Sequence, residues 1–276
     1  MDLSIDFLKQ VALDIYKVVN PLLGTREAAK KLNKGAGGDI SMHLDIVAEN
    51  AIIESLEKKN VPLLLISEEI GEKYIGDEEE AKKGQIKLIV DPLDGSNNAV
   101  RGVPYCSVSI AYAVGDRMND IVKGVVLNLN TKDIYWAEKG KGAFLNGTKI
   151  HVSDLDISQK CLFELNLTMN NLMKNLQDLS PIIRKFYRIR ILGSSALTLC
   201  QIANGSMEAF INLRKSNRLV DVAAGMLIVK EAGGKLFSLE GTEIDQELSI
   251  DVKFPFIASN AKLESFLKEV LFDRIN

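Results

Sequence analysis

The run Lys87-Leu88-Ile89-Val90-Asp91-Pro92-Leu93-Asp94-Gly95-Ser96-Asn97-Asn98 constrains this chain more than any other. An apolar segment short enough to be a strand, Ile86 to Val90, leads straight into an acid. Pro92 sets a turn, Asp94 follows three residues after Asp91, and Gly95-Ser96 reads as the start of a helix. Two acids at a strand end raise the cost of ionising each other, and a divalent cation removes that cost. Hard cations such as Mg²⁺ prefer these oxygen ligands. The backbone N–H groups after Asp94 would face outward at a helix start, where an anion can sit. A plain surface turn is the competing reading, because Asp-Pro and Asp-Gly are common turn dipeptides.

Other segments set acids in similar places. Leu63-Leu64-Leu65-Ile66-Ser67-Glu68-Glu69 is a second apolar run ending in acids. Leu219-Val220-Asp221-Val222-Ala223-Ala224-Gly225 puts a lone Asp at the start of an apolar helix, where it would also complement the helix dipole. Gly38-Asp39-Ile40-Ser41-Met42-His43-Leu44-Asp45 adds Asp39 and Asp45 beside the glycine-rich stretch 34–39, which reads as a mobile loop. Taken alone, Asp45 reads as an N-cap for a helix over 44–59.

The remaining pattern is α/β. Helical periodicity covers residues 3–20 and 44–59. Strands are expected at 62–66, 86–90, 107–114, 120–129 and 132–137, with the polar segment 72–83 as surface. In the second half, strands at 188–192, 207–213 and 256–258 alternate with helices at 194–204, 220–232 and 261–272. Ser194 is placed to cap the first of these helices and Gly205 to end it. With 276 residues, the chain has room for one large α/β domain or two units. Subdomains over 1–150 and 151–276, sharing an interface, are expected.

Composition excludes several function classes. Lys+Arg is 34 against 37 Asp+Glu, a net charge of −3 that is not the footprint of a nucleic-acid binder. Cys106, Cys161 and Cys200 are an odd, unspaced set, which points to a reducing compartment rather than a disulfide framework. Only His43 and His151 are available, so a His-rich zinc site is excluded. Charged residues interrupt the first 24 positions, so no signal peptide is read there. No window approaches the ~20 apolar residues a membrane span needs. A cytoplasmic location follows as the expectation.

Taken together, these motifs resemble the inositol monophosphatase superfamily of Mg²⁺-dependent, lithium-sensitive phosphatases. Asp91-Pro92-Leu93-Asp94-Gly95-Ser96 matches its Asp-Pro-(Ile/Leu)-Asp-Gly-(Thr/Ser) motif, and Glu68-Glu69 its upstream acidic pair. Val220-Asp221-Val222-Ala223-Ala224-Gly225 matches its downstream motif, and Gly140-Lys141-Gly142-Ala143-Phe144-Leu145-Asn146-Gly147 a sheet segment common in it. The motifs keep the family's order over roughly residues 35–235.

The resemblance implies an αβαβα five-layer sandwich that forms a homodimer. It implies two to three Mg²⁺ ions, with Mn²⁺ as a substitute and Li⁺ as an inhibitor. Glu68, Asp91, the Leu93 carbonyl, Asp94 and Asp221 would ligate metal, and Asp39 would help admit a third ion. Phosphate would lie on the Gly95 and Ser96 amides, with Asp45, Ser96 and Glu68 in the catalytic group. Archaeal members that act on both inositol 1-phosphate and fructose 1,6-bisphosphate are the nearest match. Arg190 and Arg214 support that placement, since an Arg can pair with a second phosphate. Each also reads as a surface or interfacial cation. Ser195 would contact the sugar or help cap its helix. Ser96 replaces the commoner Thr, and Ser41-Met42-His43 departs from the usual Thr-containing run.

Gly142-Ala143-Phe144-Leu145-Asn146-Gly147-Thr148-Lys149 misses the P-loop pattern because Thr and Lys are reversed. A 3′-phosphoadenosine 5′-phosphate phosphatase shares the metal motifs but needs an adenine platform, and none is evident. A non-catalytic binding protein on the same fold would be expected to lose one or more of the carboxylates. Here Glu68, Asp91, Asp94 and Asp221 are all present.

Overall fold

A computed structural model of the chain describes residues 3–34, 40–167 and 172–272. Helices Ile5–Val19 and His43–Lys59 form the first layer. Leu8, Val11 and Ile15 of one and Leu44, Ala48 and Ile52 of the other are fully buried against a sheet. That sheet has eight strands. From one edge they are Thr148–Ile150, Gly142–Leu145, Ile134–Glu138, Ile121–Asn128, Ser107–Val114, Ile86–Asp94, Leu63–Ser67 and Gly71–Ile75. Every neighbouring pair is antiparallel except Leu63–Ser67 with Ile86–Asp94.

On the opposite face lie helices Ser195–Ala203 and Leu219–Glu231. They are apolar all round because a sheet covers each side, and this burial replaces the usual amphipathic stripe. The second sheet has five strands in the order Arg188–Arg190, Leu162–Asn166, Ala209–Asn212, Phe256–Ser259 and Lys235–Phe237. Its outer face buries Phe163 and Ile211 against Ile182 and Leu267 of the outer helices. The α/β layers therefore run helix, sheet, helix, sheet, helix, as the family resemblance implied.

Some expected boundaries shift, for physical reasons. The 72–83 segment is mostly exposed, as expected, but it is regular structure rather than loop. It forms the edge strand Gly71–Ile75 and the helix Glu78–Gly84, capped by Asp77 accepting from the Glu80 N–H at 2.8 Å. Edge strands and short charged helices carry little apolar signal. Asp45 is not the N-cap of its helix. It lies inside the first turn, and its Oδ2 accepts from the Met42 N–H at 2.7 Å. The central strand also continues past Pro92 to Asp94. Asp91 pairs with Ser109 and Asp94 with Ser107, so one extra residue bulges at the proline, which has no N–H to donate.

Candidate metal and phosphate site

Ser67 pairs with Val90 in the parallel register, so each strand delivers its next residue, Glu68 and Asp91, to the same end of the sheet. Asp221 joins them from the first turn of the Leu219–Glu231 helix. Carboxylate oxygens of Glu68, Asp91 and Asp221 all lie within 4.8 Å of one another. The bulge carries Asp94 to the far side of Pro92, where its Oδ2 accepts from Ser194 Oγ at 2.6 Å and the Ala196 N–H at 2.8 Å. Asp91 Oδ1 accepts from the Leu93 N–H at 2.9 Å, which fixes the intervening peptide.

Burial dominates the electrostatics. It pushes Glu68 up to about 8 and Asp94 up to about 7, with Asp221 adding to both. Asp91 is held well above the usual carboxylate range, first by burial and then by the charges of Glu68, Asp221 and Asp94. Asp221 is also raised by burial, against the pull of Arg218. Arg218 lies at the helix N-cap and donates from Nε to Asp221 Oδ1 at 3.1 Å. Its Nη1 bonds Glu68. Burial works against its charge, but Asp221 and Glu68 outweigh that and keep it protonated.

The donor set fits a divalent cation. It consists of hard carboxylate oxygens, with Asp91 Oδ2 buried and lacking any hydrogen-bond partner. Each acid is more costly to ionise than in water, and a bound cation would reverse that. Glu68, Asp91 and Leu93 also line a small recess with Asp45 and Glu69.

Behind the cluster, the first-layer helix supplies Asp45 and, one turn on, Glu49. Burial raises Asp45 to about 6 and Glu49 to about 7. Ser67 Oγ donates to Glu49 Oε2 at 2.7 Å, which ties this helix to the strand end that carries Glu68. Gly95 follows Asp94 with φ +88°. A Cβ there would lie 3.0 Å from the Tyr105 carbonyl and 3.2 Å from that of Gly193. Ser96 opens a six-residue helix. Asn98 Nδ2 donates to the Tyr105 and Leu192 carbonyls at 2.8 and 2.7 Å, locking this loop against the one before Ser194.

These elements enclose an open cleft of about 680 Å³. Asp45, Glu68, Asp94, Gly95, Ser96, Ser195, Arg214 and Asp221 all line it. Arg190 does not. It lies exposed on the edge strand Arg188–Arg190, its Nη1 donating to the Ile189 carbonyl at 3.0 Å. Asp39 lies outside the described residues. Sequence reasoning missed Arg218, Glu49 and Lys253, the last of which also lines the cleft. The position of Glu49, one helical turn after Asp45, was a readable signal. Ser194 was read as a cap, which it is, but it also holds Asp94.

A family model described as the inositol monophosphatase family matches residues 3–271. A fructose-1,6-bisphosphatase/inositol-1-monophosphatase of Methanothermobacter thermautotrophicus is 37% identical, the alignment covering 95% of this chain and 94% of the relative. A bifunctional NADP phosphatase/NAD kinase of Methanococcus maripaludis is also 37% identical, over 96% of this chain but only 48% of its own length. This chain therefore spans about half of that relative. Among solved structures, the MJ0109 gene product, an inositol monophosphatase-fructose 1,6 bisphosphatase, superposes with a TM-score of 0.83 at 26% identity. That match covers 98% of this chain and 99% of the other.

Proposed function

Because the chain belongs to the inositol monophosphatase family, a group of metal-dependent phosphatases, we propose that it is a Mg²⁺-dependent phosphomonoesterase acting on inositol 1-phosphate and fructose 1,6-bisphosphate. The observation that carries this reading is the Glu68–Asp91–Asp221 cluster, within 4.8 Å, with Glu68 and Asp221 lining the cleft. Glu68, Asp91, the Leu93 carbonyl, Asp94 and Asp221 would hold the cations, two or three in number, with Mn²⁺ able to substitute and Li⁺ to inhibit. When bound, Mg²⁺ supplies charge neutralisation of the phosphoryl group and lowers the pKa of water.

The chain's own groups do the positioning. The Gly95 and Ser96 amides receive the phosphoryl oxygens, and Ser195 contacts the polyol. Asp45 has one oxygen held by the Met42 N–H, which leaves the other to orient the attacking water with Ser96. Raised to about 6, Asp45 is suited to accept a proton near neutral pH. No covalent nucleophile is needed, since positioning and electrostatics carry phosphoryl transfer. We place the enzyme in the cytoplasm as a homodimer.

A second reading is dephosphorylation of a nucleotide, favoured by the 37% identity to the bifunctional NADP phosphatase/NAD kinase. Phosphate release from fructose 1,6-bisphosphate, inositol 1-phosphate, NADP and 3′-phosphoadenosine 5′-phosphate, with and without Mg²⁺, separates the readings. Release from the first two alone supports the proposal. Release only from the nucleotides supports the second reading.

A further inference from the structure

One buried acid lies outside the cleft and outside the carboxylate cluster. Glu164 is 3% exposed and belongs to the strand Leu162–Asn166. Phe163 and Leu165 beside it bury on the outer face of that strand, so Glu164 faces the inner helix layer. Among the described residues no Lys or Arg forms an ion pair with it, and burial raises its carboxyl above the usual range. Its partners are instead the donors of one turn and one helix start. The Leu192 N–H donates to Oε1 at 3.0 Å, the Gly193 N–H bonds the same carboxylate, and Thr198 Oγ1 donates to Oε2 at 2.7 Å. A buried carboxylate without a cation is costly, and these three donors offset that cost.

The turn that Glu164 holds carries part of the site. Leu192 is gripped from both sides, since its carbonyl accepts from Asn98 Nδ2 at 2.7 Å while its N–H goes to Glu164. Gly193 follows with φ +88° and leads into Ser194 and the helix Ser195–Ala203. Ser194 Oγ and the Ala196 N–H both donate to Asp94 Oδ2, and Gly193 and Ser195 line the cleft. Oε1 of Glu164 thus secures the turn and Oε2 the first turn of the helix, with the two donors to Asp94 between them. A residue placed this way never touches the ligand. It sets in advance the positions that cation and ligand need, which lowers the ordering cost of binding them.

We propose that Glu164 is a positioning residue for the reaction, fixing the 192–196 segment so that Asp94 is aimed at the metal site and Ser195 at the polyol. The proposal rests on the phosphatase reading above and adds to it a residue outside the cleft that prepares it.

The test combines calorimetric Mg²⁺ titration with kinetics on inositol 1-phosphate, in the wild type, Glu164→Ala, Glu164→Gln and Thr198→Val, well below each melting temperature. Glu164→Ala frees the turn, so the Mg²⁺ Kd and the substrate KM should each rise about tenfold, the loss lying in these rather than in kcat. Glu164→Gln should largely recover both. Its oxygen still accepts the Leu192 and Gly193 N–H groups, and its amide donates to Thr198, whose own proton turns to the Ser194 carbonyl at 2.8 Å.

A merely structural role lowers the melting temperature but leaves Kd and KM where they were, and that result overturns the proposal. So does impairment in Glu164→Gln equal to that in Glu164→Ala. If Glu164→Ala does not fold, Thr198→Val decides, because it removes the bond to Oε2 and keeps the side-chain shape. It should raise both constants, and no rise overturns the proposal. If the wild type releases no phosphate, the phosphatase reading fails by itself and the Mg²⁺ titration tests Glu164 separately. Binding weakened in Glu164→Ala and restored in Glu164→Gln then supports the proposal, whereas equal binding, or none in the wild type, overturns it.

Discussion

Arg218 Nε donates to Asp221 Oδ1 at 3.1 Å, and the same guanidinium reaches across to Glu68. The chain thus carries its own cation inside a cluster of buried acids. Both partners are mostly buried, with side-chain exposures of 13% for Asp221 and 16% for Glu68. An internal counter-charge of this kind lets acids share one edge of a folded chain before any metal arrives. It also opposes the metal, because a second cation must enter beside it.

Replacing Arg218 with Gln should therefore move two quantities in opposite directions. In chelator, the chain should lose about 3 kcal/mol of stability, as expected for removing one member of a buried ion pair. Mg²⁺ should bind about tenfold more tightly, because a nearby like charge has gone. Thermal melting in EDTA and calorimetric Mg²⁺ titration check the two. Weaker Mg²⁺ binding would show instead that Arg218 mainly holds the ligands in place.

Stability of the metal-free chain should fall as pH rises. Asp45, Glu49, Asp94 and Glu68 have folded-state values of about 6, 7, 7 and 8, all above their ordinary range. A carboxyl raised by folding contributes stability that is complete below its unfolded value and lost as pH climbs through its folded value. The window here runs from about pH 4 to about pH 8. Mg²⁺ should reverse the trend, since it binds the ionised acids. Melting curves from pH 5 to 8.5, with chelator and with Mg²⁺, would reveal the crossing. Parallel curves would refute it.

Gly95 should tolerate no side chain. Its φ of +88° and the 3.0 Å approach of a Cβ to the Tyr105 carbonyl act together. Gly95→Ala should lower stability by about 2 kcal/mol and displace the amides that follow Asp94. Chemical denaturation measures the first effect, and the KM for inositol 1-phosphate the second.

The sequence made the carboxylates visible because each ends an apolar run or begins an apolar helix. One such segment also fits a plain surface turn, so it was the recurrence of the placement in several segments that pointed to a shared site. The sequence also located both strands, though neither the continuation of one past Pro92 to Asp94 nor the parallel register that sets Glu68 beside Asp91. Arg218 stayed hidden because an Arg before a helix looks like an ordinary surface residue. Only the tertiary fold brings Glu68, 150 positions earlier, to meet it. Arg190 is near Ser194 in sequence, but an exposed edge strand carries it and it does not line the cleft. Glu49 was legible by spacing from Asp45, but only the fold sets Ser67 to donate to it.

The most direct test of the account is Mg²⁺-dependent phosphate release from inositol 1-phosphate and fructose 1,6-bisphosphate by the wild type and by Asp91→Asn. Asn keeps the acceptor for the Leu93 N–H but removes the charge at the buried oxygen that lacks a partner. The account predicts release from both substrates only with Mg²⁺, reduced about a thousandfold or more in the variant, which should melt no lower than wild type in chelator. Release that persists in chelator, or that Asp91→Asn leaves intact, would contradict it.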